Sequence, residues 1–174
     1  MGANLHKLLT SLTDYNTTIL SLGKLNRFMV SSRTGKLYLN LLILRFSSCL
    51  GSSNQLIDLF ATDLVFKKNP RITAIVFIPA TGTTLILNNQ PESGHSVPLE
   101  STALVFKAND WLEREVSEMF GSVFSNKKDS RNLLLEYTNV FKPMLKSFPS
   151  VGLFELFFDT LHQNITHKHI SLQL

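Results

Sequence analysis

The chain has 174 residues, 44% of them hydrophobic and only 17% charged, with a formal net charge of +4. That length suits one domain with a substantial core, and its charge content is low for a surface that faces only water. Cys49 is the single cysteine, which excludes an internal disulfide and any Cys-rich zinc or iron–sulfur site built from this chain alone.

In chain order, Leu5, Leu8, Leu9 and Leu12 space as one helix face and predict a helix over 3–13. Residues 1–15 hold one Lys, no Arg and an Asp, a poor transit peptide, so a chain working in an organelle is expected to be made there, or to be numbered from a processed start. The Met1-Gly2 start lacks the Ser or Thr that a myristoylation signal wants at position 6, where His6 stands. After the polar turn at 31–35, residues 36–47 are apolar, bounded by turn residues and read as a buried strand. Ser53 or Asn54 is expected to cap a short helix through Phe60. Ile72–Ile78 reads as a strand ending at Pro79, Thr81-Gly82 as a turn and 83–88 as the returning strand of a hairpin. Residues 89–98 read as loop, and 102–106 as a short apolar lead into a helix over 110–120.

From Phe141 onward Pro143, Pro149 and Gly152 break any helix, and 153–158 and 165–172 read as extended pieces. The order implies an α+β, two-layer domain, with helices packed on one face of a mixed β-sheet, over 1–140. Residues 141–174 form an extended C-terminal tail, whose Phe141, Phe148, Phe154, Phe157 and Phe158 need cover from the domain or a partner. No apolar run approaches the ~20 residues of a membrane helix; 37–44 and 153–158 are the longest candidates.

The helix over 110–120 carries the chemistry. Asp110 is placed to act as N-cap with Glu113 reaching back in a capping box. Leu112, Val116, Met119 and Phe120 form one apolar stripe, and Gly121 suits the left-handed position past the helix end. Glu115 falls at the stripe's edge beside Trp111 and Met119, where a covered carboxylate needs a partner. Arg114 and Glu118 lie one turn apart on the opposite, exposed face, with Asp129 and Arg131 in the same polar network.

The run Trp111-Leu112-Glu113-Arg114-Glu115-Val116-x-x-Met119-Phe120-Gly121, with Phe124-Ser125-Asn126-x-x-Asp129-x-Arg131-x-Leu133-Leu134-x-Glu136-Tyr137, resembles the NADH dehydrogenase subunit 9, or 30 kDa subunit, family of respiratory complex I. Pro143-Met144-x-Lys146-x-Phe148-Pro149-x-x-Gly152-x-x-Glu155 extends the resemblance. It is specific over 108–159 and thinner over 56–107, where Asp58, Asp63 and Arg71 match spaced aspartates before an Arg-led strand. Residues 1–50 carry no matching motif. Lys127-Lys128 stand where the family has His-Pro, Asn132, Leu145 and Phe157 where it has arginine, and Ser147 where it has aspartate.

The resemblance implies a non-catalytic scaffold subunit on the matrix side of the mitochondrial inner membrane. Its partners would be the hydrogenase-like quinone-pocket subunit and iron–sulfur subunits. It would bind no cofactor and no nucleic acid; NADH, FMN, iron–sulfur clusters and ubiquinone belong to other subunits. The exposed Arg114/Glu118 face and the aromatic tail are the expected contacts. Three readings compete. An organellar RNA-binding or ribosome-associated module needs a clustered basic face, whereas Lys and Arg are scattered here. A hydrolase using Glu113 or Glu115 needs a nucleophile or a raised carboxyl pKa. A subunit of a related plastid or hydrogenase-type complex keeps the architecture and changes the cofactors. His162, His167 and His169 tempt a metal reading, but Asp159 alone could complete the set.

Overall fold

The computed structural model describes residues 18–21, 27–32, 36–47, 53–64, 69–90, 98–137 and 140–171; the expected helix over 3–13 and Cys49 lie outside them. Five strands form the main sheet: β1 (Thr18–Ser21), β2 (Arg27–Ser32), β3 (Gln55–Thr62), β4 (Arg71–Ile78) and β5 (Thr83–Asn89). Their order is β1-β2-β5-β4-β3. The β2–β5 pair is parallel and the other pairs are antiparallel, so the sheet is mixed, as expected.

One face of this sheet is apolar because alternate residues point the same way. Cross-strand register aligns Val30 with Leu87, Leu87 with Ala74, Ala74 with Leu59, and Leu85 with Val76, and all of these are buried. The predicted β4–β5 hairpin is present. Its turn is closed by the Thr81 N–H donating to the Ile78 carbonyl (3.3 Å) and the Gly82 N–H to the Pro79 carbonyl (3.3 Å). On the opposite face the buried Thr73 hydroxyl donates to Asn88 Oδ1 across the same pair (2.9 Å).

Two sequence expectations fail here. Residues 36–47 contain not a strand but helix α1 (Leu37–Phe46). Leu37, Leu41 and Leu44 recur at helical spacing and are buried in the core, each contributing about 1.5–3 kcal/mol. The run is mostly apolar, with Leu39 and Phe46 exposed and Asn40 buried, which blurs the polar half of the period that distinguishes helix from buried strand. Conversely, the segment after Asn54 is strand β3, not a helix. Leu59 and Ala61 face the core while Phe60 and Thr62 do not, and pairing with β4 overrides the local capping signal. Asn54 serves the helix before it instead. Its Nδ2 donates to the Leu44 carbonyl (2.6 Å) and its own carbonyl accepts from Arg45 Nη1 (2.9 Å), closing the C-terminus of α1.

Helix α2 (Asn109–Phe120) packs on β3 through Val116, in the same core as α1. Two short parallel strands, β6 (Leu99–Glu100) and β7 (Phe124–Ser125), join the segments that enter and leave α2. The two extended pieces of the tail are the strands of an antiparallel hairpin, β8 (Phe154–Asp159) and β9 (Asn164–His169). Among the described residues no helix is long and apolar enough to cross a membrane.

Candidate functional site: the acidic helix and the loop it holds

Helix α2 begins one residue before the sequence-based boundary, and this removes the capping box. Ala108 occupies the N-cap position with no side-chain cap bond. Asp110 sits in the first turn, and Glu113 turns away from the helix start into a polar cage. Glu113 is 0% exposed. Its Oε1 accepts from the Thr102 N–H (2.6 Å) and hydroxyl (2.6 Å), and its Oε2 from the Ser101 hydroxyl (2.8 Å). Asn109 Nδ2 donates to the Thr102 hydroxyl (2.7 Å). The cation of the cage is Lys127, its side chain 4% exposed and its Nζ 3.6 Å from Glu113 Oε2. Nζ also donates to the Asp110 carbonyl (2.9 Å) and lies 5.7 Å from the Phe124 ring centre. Burial holds the Lys127 ammonium below its ordinary pKa, against the pull of Glu113 and Asp110.

Arg114 and Glu118 do not form an exposed face, contrary to expectation. The loop after β7 folds back over them. Arg114 Nε donates to the Arg131 carbonyl (2.8 Å) and Nη2 to the Asn132 carbonyl (3.2 Å), with Nη1 3.6 Å from Asp129 Oδ2. Glu118, 3% exposed, accepts the successive backbone N–H groups of Leu133 (3.0 Å), Leu134 (2.9 Å) and Leu135 (2.7 Å). Burial by itself raises the Glu118 pKa. The bonds from Leu134, Leu135 and Leu133, with the Arg114 charge, outweigh it and leave the carboxyl below its ordinary value. Asp129 and Arg131 share the network as expected, joined by Arg131 Nη2 to Asp129 Oδ2 at 2.7 Å. Those side-chain and backbone bonds from Arg131 push the Asp129 carboxyl well below its ordinary range.

Glu115 stands apart. With Phe60, Val116, Met119, Phe120, Leu134 and Met144 it lines an open cleft of about 190 Å³ between α2, β3 and the tail. Trp111, one turn toward the helix start, is 62% exposed.

Past the helix, Gly121 takes the expected left-handed conformation (φ 73°), with its N–H on the Ser117 carbonyl (2.9 Å). A Cβ there would meet Lys142 Cγ at 3.3 Å. That side chain is flexible and can give way, so Gly121→Ala is expected to cost about 1–2 kcal/mol, almost all of it from the positive φ; chemical denaturation measures it.

The segment after Phe141 packs back on this region. The Met144 N–H donates to the Met119 carbonyl (3.2 Å), and the Lys146 N–H to Asp63 Oδ2 (2.9 Å). Pro143 is half-buried in that turn. Phe148 packs on Phe141 with ring centres 6.1 Å apart, the Pro149 carbonyl accepts from Gly152 N–H (3.0 Å), and Gly152 has φ 91°. Tyr137 is 77% exposed. Glu155 is exposed on β8 opposite Lys168. Of the three histidines, His162 Nδ1 pairs with Asp159 (2.7 Å) and His169 packs on Phe154. No group of three metal-ligating side chains is gathered among the described residues.

Sequence reasoning missed Ser101, Thr102 and Asn109, and treated Lys127 only as a departure from a pattern. The Ser-Thr pair ahead of an acid-rich helix was the available signal, since short hydroxyl side chains commonly satisfy a nearby carboxylate or helix end.

A family model described as respiratory-chain NADH dehydrogenase, 30 Kd subunit, matches residues 40–152. NADH-ubiquinone oxidoreductase subunit 9 of Paramecium primaurelia is 59% identical over 66 residues, 37% of this chain and 32% of that protein. The subunit 9 of Dictyostelium citrinum is 38% identical over 74 residues, 42% of this chain and 35% of that protein. The corresponding protein of Dictyostelium discoideum is likewise 38% identical over 74 residues, 42% of this chain and 35% of that protein. The matched stretch thus spans about a third of the length of these curated relatives. In fold, the chain is similar to a chain from the membrane-bound sulfane sulfur reductase, an archaeal respiratory membrane complex. The TM-score is 0.66 at 15% identity, covering 85% of each chain. With its acidic helix, held loop and proline–glycine turn all inside the matched residues, the chain belongs to the 30 Kd subunit family of the respiratory-chain NADH dehydrogenase.

Proposed function

We propose that this chain is a scaffold subunit in the peripheral arm of respiratory complex I, on the matrix side of the mitochondrial inner membrane. There it supports electron transfer from NADH to ubiquinone, coupled to proton pumping, by holding neighbouring subunits in register. The chain itself carries no cofactor and performs no chemical step; NADH, FMN, iron–sulfur clusters and ubiquinone belong to the other subunits, among them the hydrogenase-like quinone-pocket subunit.

Family membership supports the assembly. The observation that supports the scaffold role is the division of labour on α2. Glu113 and Glu118 are themselves buried and their oxygens are taken up by donors of this chain, as structural carboxylates are. The large apolar groups face outward instead. On one face of the β8–β9 hairpin, Phe154, Leu156, Phe158 and Ile165 are each at least 50% exposed, the surface expected of a chain that is covered by partners.

Arg114→Ala tests the reading. Losing its bonds to the 131 and 132 carbonyls loosens the loop that α2 presents. The expected result is a several-fold fall in assembled complex with normal turnover per assembled complex. Native gel separation of solubilised mitochondrial membranes with NADH-dehydrogenase staining measures both. Normal assembly with lost turnover overturns the scaffold role. Migration of the unmodified chain apart from any NADH-oxidising assembly overturns the complex I reading.

A further inference from the structure

We propose that the cleft beside α2 receives a lysine or arginine, carried next to an aliphatic or aromatic residue, from another subunit, and that Glu115 is the counter-charge that selects it. The inference rests on the scaffold reading above and names the chemistry of one contact within it.

Among the described residues Glu115 is the only polar side chain lining the cleft; the remaining lining is aliphatic, aromatic or methionine. It is half-buried, yet no hydrogen bond or ion pair to it exists among the described residues, whereas Glu113 and Glu118 on the same helix are each held by several donors. Closing the cleft with a purely apolar group would strip water from the carboxylate without replacing it, which is unfavourable. An acidic group would add repulsion. A cation restores what water provided and gains from the lower local dielectric.

The cleft's surroundings suit the same occupant. Phe60, Leu134 and Met144 on its rim are 37%, 59% and 58% exposed, and Trp111 is 62% exposed one helical turn from Glu115. Trp and Met are enriched where interfaces concentrate their energy, and an indole face attracts a cation. The aliphatic stem of Lys or Arg lies comfortably on such a surface with its head group at the acid. The chain as a whole carries +4, so its net field does not draw a basic partner. The specificity must be local, and Glu115 supplies it.

The test uses the assembly purified through this chain from solubilised membranes. Carbodiimide-driven labelling of carboxylates with glycine ethyl ester, read by peptide mass spectrometry, is compared between the intact assembly and the dissociated chain. Glu115 is expected to be labelled at least tenfold less in the assembly. A benzoylphenylalanine at Met144, photolysed in the assembly, identifies the occupant, expected to carry Lys or Arg beside the cross-linked residue. Glu115→Lys should lower recovery of the assembly several-fold without moving the melting temperature of the isolated chain, and an acidic replacement of that basic residue should restore it. Equal labelling of Glu115 in both states overturns the proposal. So does a cross-link to this chain, to a second copy of it, or to a segment without a basic residue. If Glu115 is protected in an assembly that is not NADH dehydrogenase, the cleft assignment stands and the complex I reading falls. If it is unprotected inside NADH dehydrogenase, the cleft assignment falls alone. A chain that purifies without partners overturns both.

Discussion

A Glu113→Ala chain is expected to melt roughly 10 °C below the unmodified chain, the largest effect of any single substitution in α2. The carboxylate is fully buried and accepts from Ser101 and Thr102. Its removal takes the fully buried counter-charge from the Lys127 ammonium, 4% exposed, and leaves it only the more distant, part-exposed Asp110 carboxylate at 3.9 Å. Breaking a buried pair from one side costs about 3–5 kcal/mol, and a domain of this size loses about 2–4 °C per kcal/mol. The cause is the stranded cation and donors rather than lost volume, which a second substitution separates. Glu113→Ala combined with Lys127→Met should recover part of the loss, giving a coupling energy of about 1–3 kcal/mol in a double-mutant cycle. Scanning calorimetry of the two single variants and the double measures it. A shift under about 3 °C for Glu113→Ala would mean that Lys127 swings out to water and the cage contributes little.

Glu118→Ala is expected to destabilise by about 2–3 kcal/mol, from three lost charge-assisted bonds partly replaced by water. Hydrogen exchange should rise most at the amides of Leu133, Leu134 and Leu135, which now donate to Glu118. The pH dependence has a definite sign. Burial raises the Glu118 pKa, but the three backbone bonds and Arg114 lower it further, so the folded value lies below the ordinary 4.5. A carboxyl with a depressed folded pKa stabilises fully above its unfolded pKa and loses that contribution as pH falls through the folded value. The stability difference between the unmodified chain and Glu118→Gln should therefore stay constant from neutral pH down to about 5.5 and shrink below about 4.5. Denaturant titrations of both proteins across that range measure it, and subtraction cancels the parallel titration of Asp129. A difference that grew on acidification would contradict the assignment of Glu118 as an ionised acceptor.

Helix α2 and the β4–β5 hairpin were legible in the sequence because each carries two independent signals. The helix has an apolar stripe and a terminal glycine; the hairpin has β-branched runs and a Pro-to-Gly turn. Residues 36–47 gave a single ambiguous signal, since a mostly apolar run fits a buried strand or a buried helix. Only contact with the sheet distinguishes them. The Asn54 signal was real but belonged to the preceding helix, a direction that spacing alone does not encode. The site was half legible. Its residues were identified, but the sequence placed Arg114 and Glu118 on an open face because nothing local shows that residues 129–135 return across them. Glu113 was given to a capping box because its true donors, Ser101 and Thr102, lie twelve and eleven residues away.

The way α2 grips its loop has a bearing on how this sequence can drift. Arg114 and Glu118 take hold of carbonyls at 131 and 132 and N–H groups at 133, 134 and 135, atoms that every ordinary residue possesses. Only the 3.6 Å contact of Arg114 Nη1 with the Asp129 carboxylate reads a side chain, and it lies outside 131–135. Asn132, standing where the resembling family has arginine, therefore leaves the grip intact, and neighbouring positions are free to follow whatever surface lies against them. Proline alone is barred at 133–135, because it brings no N–H. The loop's shape is thus inherited through two residues of a helix, while its chemistry remains open to change.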